Sequence, residues 1–152
     1  MEERNYEQRR EKLLELLKSR RLKSLQYELE DMNEFDIAEF LTELGEEDKL
    51  KMASVFRLLS KEQGAEVFAE LDAPEQEVII NSITDKELTE IVEDMYVDDA
   101  VDMMEELPAN IVKRVMRAAT PETRALINQY LKYPDNSAGS IMTAEFVELK
   151  KY

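Results

Sequence analysis

Apolar residues recur at a fixed twelve-residue spacing through half of this chain, and that period limits the folds open to it. From Leu59, the positions Leu71, Ile83, Met95, Leu107, Ala119 and Leu131 follow at this interval. Four residues before each lies a second apolar column, Val55, Val67, Ile79, Ile91, Met103, Val115 and Ile127. A third column, Phe56, Phe68, Ile80, Val92, Met104 and Met116, follows by one residue and breaks at Asn128. Residues at i, i+1 and i+4 share one helical face, so each period supplies a short amphipathic helix. Helices of two or three turns are marginal alone in water and become stable by stacking on neighbours.

The residue after each beat suits a corner: Ser60, Asp72, Thr84, Tyr96, Pro108, Thr120 and Lys132. Ser60 with Gln63, Asp72 with Glu75 and Thr84 with Glu87 have the capping-box spacing, in which two side chains satisfy exposed backbone donors reciprocally. Thr120-Pro121 suits a cap followed by the first helical position. Upstream, Leu13, Leu14 and Leu17 mark a first helix, a polar cap to the stack, and Leu22, Leu25 and Leu29 a second. Asn33 caps a third that runs through Leu44, with Gly45 as its expected end. The fold expected over residues 1–132 is all-α, a right-handed, armadillo-like superhelix of about ten short stacked helices. A plain helical bundle is the alternative.

After Lys132 the period stops. Tyr133-Pro134-Asp135-Asn136-Ser137-Ala138-Gly139-Ser140 is rich in loop formers, and Phe146-Val147-Glu148-Leu149 alternates as a strand does. Residues 133–152 therefore read as a linker and the start of a further domain, and the chain as part of a longer protein.

Charge excludes several partners. Asp and Glu number 35 against 20 Lys and Arg, for a formal net charge of -15. The net sign would repel a nucleic-acid backbone and argues against unaided adsorption to anionic lipid, but suits divalent cations or a basic surface. Solubility alone also accounts for the charge. Without Cys or His there is no thiolate metal site and no imidazole base. The three Gly, at 45, 64 and 139, are too scattered for a phosphate-binding loop. Trp is absent, and nothing suggests a sugar cleft for the carboxylate pairs to serve. No enzyme is expected. The amino terminus lacks an apolar signal core, and no apolar run approaches the roughly 20 residues of a membrane span. The segment is expected to lie in the cytoplasm.

One acidic group stands out. Asp98 and Asp102 lie one turn apart at the start of a helix, with Asp99 beside them and Glu105 or Glu106 a turn further. Mg²⁺ takes hard oxygen ligands, keeps several waters and is held by one or two carboxylates. Acidic residues in a first turn also complement the helix dipole without any metal, so both readings stand.

The residues with the most specific likeness close the chain. Tyr133-Pro134 followed by Asn136-Ser137-Ala138-Gly139-Ser140-Ile141-Met142-Thr143 resembles the junction in MgtE-type magnesium transporters where the helical domain meets a CBS-domain pair. The resemblance continues through Leu58-Leu59-Ser60-Lys61 with Ala65-Glu66-Val67-Phe68, and through Asp98-Asp99-Ala100 with Glu105-Glu106-Leu107-Pro108. It runs from about Asn33 to Leu149. It implies a cytosolic regulatory domain at the inner face of the cell membrane, with a CBS pair and transmembrane pore in the same full-length, homodimeric protein. It further implies that Glu66, Asp98 and Asp102 are Mg²⁺ ligands facing acidic CBS residues, and that the bridging ions favour a closed pore. A related superhelical domain occurs in the flagellar motor switch protein FliG, whose Glu-His-Pro-Gln motif a chain without His lacks. The alternative is thus a helical interaction scaffold with no metal sensing.

The period alone generates a stability prediction. Leu71→Ala should cost about 2 to 5 kcal/mol in chemical denaturation if Leu71 is core. A loss under about 0.5 kcal/mol would put it on the surface.

Overall fold

The computed structural model describes residues 2–131, which form ten α-helices and, among the described residues, no strand. They are α1 (Glu2–Lys18), α2 (Leu22–Glu30), α3 (Glu34–Glu47), α4 (Lys49–Phe56), α5 (Lys61–Glu70), α6 (Ala73–Ser82), α7 (Asp85–Asp94), α8 (Val97–Glu106), α9 (Ala109–Ala118) and α10 (Pro121–Leu131). The all-α class and the number of helices are as the sequence indicates. The expected linker and strand at residues 133–152 lie outside the described residues. The chain divides into two compact units, the first ending at Leu71 and the second beginning at Asp72.

The periodic columns form the interior. Val55, Val67, Ile79, Ile91, Met103, Val115 and Ile127 are all buried, and so are the beat residues Leu71, Ile83, Met95, Leu107 and Ala119. At the two ends of the periodic stretch the pattern loosens: Leu59 is half-buried and Leu131 exposed.

Each beat residue is also the corner. Leu71, Ile83, Met95, Leu107 and Ala119 are helix C-caps with extended backbone, ψ between 150° and 162°. The N-cap that follows each of the first four is extended as well. Two extended residues reverse the chain without a left-handed position, so these corners need no glycine. At the ends of α6 and α9 the last carbonyls, left without intrahelical partners, are met by side chains. Arg114 of α9 donates to the carbonyls of Ile80 and, at 2.7 Å, Ile83, and its Nε lies 3.2 Å from the Asp85 carboxylate. Arg124 of α10 donates to Met116 and Ala119, and the Thr89 hydroxyl of α7 to Ala118.

The three expected capping boxes differ. Thr84 and Glu87 form a complete one. Ser60 accepts from the Gln63 amide at 3.2 Å, but the Gln63 side chain turns to the Leu29 carbonyl at 2.7 Å and joins α5 to the end of α2. Asp72 makes no side-chain cap, and Pro74 removes one of the two donors that it could accept from. At Thr120 the reciprocal partner comes from another helix: Glu93 of α7 accepts from the Thr120 amide and the Thr123 hydroxyl, each at 2.8 Å.

Gly45 does not end α3, which runs on to Glu47 and stops at Asp48. A Cβ at Gly45 would lie 2.7 Å from the Met52 sulfur, so glycine serves the close approach of α4 rather than a turn. In the same unit the Phe56 and Phe68 rings pack tilted, centroids 6.2 Å apart. The left-handed corner is at α1 instead. Arg20 has φ 58°, with Arg21 N–H on the Leu16 carbonyl and Arg20 N–H on Leu17, the hydrogen-bond pair of a Schellman end. Glycine is the residue that this position favours.

Arg20→Gly should therefore stabilise the fold by about 1 kcal/mol, read as a higher urea midpoint at unchanged m value. An unchanged or lower midpoint would mean that the Arg20 side chain supports the fold.

Candidate functional site

Helix α8 is positioned by its apolar face. Val97, Ala100, Val101, Met103 and Met104 are buried, which turns Asp98, Asp99 and Asp102 toward the boundary with solvent. The N-cap is Tyr96, whose side chain accepts no cap hydrogen bond and lies exposed. Asp98 and Asp99 occupy the first turn, where the helix dipole favours negative charge.

The pair is not electrostatically at rest. Asp98 Oδ1 is buried and, among the described residues, has no hydrogen-bond partner. Asp102, one turn on, has its carboxyl raised above the usual aspartate range, first by partial burial and second by the charge of Asp98. Two carboxylates on one face, one with an unsatisfied buried oxygen, present hard oxygen donors of the type that Mg²⁺ takes. The three residues expected from the sequence fall in different units. Asp98 and Asp102 share α8 in the second unit, whereas Glu66 is an exposed residue of α5 in the first. Among the described residues no three acidic side chains converge as a ready-made metal cage.

A second acidic region escaped the sequence reading because α1 and α3 bring it together across more than thirty residues of chain. Glu3, Tyr6, Glu7 and Arg10 of α1 and Asp36, Glu39 and Glu43 of α3 line a cleft of about 490 Å³. Arg10 pairs with Glu43. The Tyr6 hydroxyl is buried without a partner, and burial together with Glu43 and Glu39 raises its pKa. The only advance signal was the acidic spacing 36, 39, 43 on one helix face. No helix among the described residues is long and apolar enough to cross a membrane.

Comparison with known proteins places these features. Residues 32–136 match the family described as the MgtE intracellular N domain. Among solved structures, the soluble part of a magnesium transporter is similar with a TM-score of 0.77 at 21% identity, over 91% of this chain and 54% of that one. At this identity the likeness is one of fold. The cytosolic domain of the Mg²⁺ channel MgtE, in complex with ATP, is similar with a TM-score of 0.75 at 28% identity, over 86% of this chain and 53% of that one. The chain thus spans about half the length of these structures. No curated protein sequence matches it.

The raised Asp102 carboxyl fixes the sign of a pH effect. A folded-state pKa above the unfolded one means that ionised Asp102 opposes folding. That opposition is absent below the unfolded value near 4, where both states are protonated, and complete above the folded value. Asp102→Asn should thus be more stable than wild type at pH 7, with the advantage fading toward about pH 3, as urea unfolding at a series of pH values would measure. An advantage that stays constant with pH would sink this assignment.

Proposed function

This chain belongs to the MgtE family as an intracellular N domain, and on that premise we propose that it is the Mg²⁺-sensing cytosolic part of a magnesium transporter. Its place is the cytoplasmic face of the membrane, in a longer, homodimeric protein that carries a CBS-domain pair and a transmembrane pore. Asp98 and Asp102, with Glu66, are its proposed Mg²⁺ ligands, and Mg²⁺ is both the transported ion and the signal. It catalyses no reaction in this role.

The observation that carries the reading is the unsatisfied Asp98 Oδ1 beside the raised Asp102 carboxyl. A pair that mutual charge destabilises gains from a bound dication, which keeps most of its water and needs few protein oxygens. The remaining ligands come from water and from the facing domain. With the ion bound, repulsion between the acidic surfaces is cancelled and the compact, closed assembly is favoured. When Mg²⁺ falls, the ions leave, the surfaces repel and the pore is released. This is a population shift set by the different affinities of the two states for the ion.

Mg²⁺ titrated into this chain should move amide signals from Val97 to Met103 with weak affinity, since the facing ligands are missing. In the full cytosolic region, protease protection should rise with Mg²⁺, and Asp98→Ala with Asp102→Ala should flatten that rise at matched ionic strength. Coincident curves for wild type and double variant would reduce these carboxylates to helix-terminal charges and favour a scaffold without metal sensing.

A further inference from the structure

The connection between α1 and α2 breaks the charge pattern of the molecule. From Leu16 to Tyr27 there is no acidic residue, although the chain as a whole carries a net charge of -15. Lys18, Arg20, Arg21 and Lys23 fall in this stretch, and every residue from Lys18 to Ser24 is exposed. Among the described residues, none of the four cations is in an ion pair. Three other cations of α1 are: Arg9 with Asp31 at 3.0 Å, Lys12 with Glu28 at 2.7 Å, and Arg10 with Glu43. Those pairs engage Glu28 of α2 and Asp31 at its C-cap, and none of them involves a cation of the tip.

Three local choices here run against helix stability, and all involve the same cations. Arg20 takes the left-handed conformation in which glycine is favoured. Arg21 is the N-cap of α2 and makes no side-chain cap, where Ser, Asn or Asp would. The first turn of α2 has no acidic residue and carries Lys23, against the sense of the helix dipole. Local rules broken together at one exposed place mark a site kept for binding rather than for stability.

We propose that the α1–α2 tip docks on an anionic phospholipid surface, with Lys18, Arg20, Arg21 and Lys23 as charge contacts and Leu22 and Tyr27 as interfacial anchors. Leu22 is 47% and Tyr27 73% exposed, and both lie inside the acid-free stretch. A plain polyanion gives no use for these side chains, whereas a lipid interface takes an aliphatic residue and a tyrosine beside cations. The net charge does not forbid the contact. Glu28, the first acid of α2, lies about 8 Å along the helix from Lys23, which is about one Debye length at physiological salt, and Lys12 already neutralises it. The molecule approaches the membrane by this tip alone. The inference rests on the proposed function only in that a membrane lies within reach of the chain.

The test is cosedimentation of this chain with vesicles of phosphatidylserine and phosphatidylcholine, against phosphatidylcholine alone, at low ionic strength, with circular dichroism to confirm folding. Binding should require phosphatidylserine, fall about fivefold for each of the four cations replaced by Ser, and weaken with rising salt. Leu22→Ser and Tyr27→Ser should each weaken it further. Arg20→Gly supplies the signature that a structural residue would not, a higher melting temperature together with weaker vesicle binding. Failure of wild type to sediment with phosphatidylserine vesicles overturns the proposal, as do tip variants that bind as wild type does. Equal binding to soluble polyglutamate, unchanged by Leu22→Ser, would also overturn it and assign the tip to an acidic protein surface. Mg²⁺ is absent from these measurements, so this proposal and the ion-sensing one fail separately.

Discussion

Burial of one apolar side chain at every corner is the constraint on which the periodic part of this structure depends. Leu71, Ile83, Met95, Leu107 and Ala119 each end a helix in extended conformation and are buried. Each turns the chain and fills the interior at once, and this coupling holds the helices from α5 to α9 at ten residues. No such helix would persist alone, so the corners and the stacking are one cooperative device. The same device accounts for the scarcity of glycine, since an extended pair of residues turns without a left-handed backbone.

Polar side chains complete what the corners leave open. Arg114, Arg124 and Thr89 take up carbonyls at helix ends, and Glu93 caps α10 from α7. These hydrogen bonds tie α9 to the end of α6, α7 to the end of α9, and α10 to α7 and to the end of α9. Against that background the Asp98 and Asp102 pair is left open. They sit on a helix end whose cap is Tyr96, one oxygen of the pair is buried with no donor, and the two charges oppose each other.

Charge is thus partitioned rather than merely abundant. The acids of α8 and of the cleft between α1 and α3 lie on packed helices, where partial burial and neighbouring charge raise the Asp102 carboxyl and the Tyr6 hydroxyl. The cations of the α1–α2 turn are exposed and, among the described residues, enter no ion pair. A formal net charge averages over both and hides the second.

By itself the sequence determined the all-α class, the number of helices, the N-caps from Ser60 to Thr120 and the buried columns, because a twelve-residue apolar period admits one local solution. It also pointed to Asp98 and Asp102, since i and i+4 spacing is a property of any helix. Only the tertiary structure decided the partners. Gly45 read as a terminator because sequence cannot show that Met52 lies against it. Gln63 read as half of a capping box because the Leu29 carbonyl that draws it away is more than thirty residues distant. The cleft of Tyr6 with Glu39 and Glu43, and the left-handed Arg20 between two helices, were equally invisible. Propensity, capping and periodicity act within one or two helical turns, and the chain carries those in its own order. Desolvation, strain and cross-helix hydrogen bonds depend on what distant segments bring alongside, which is settled when the helices stack.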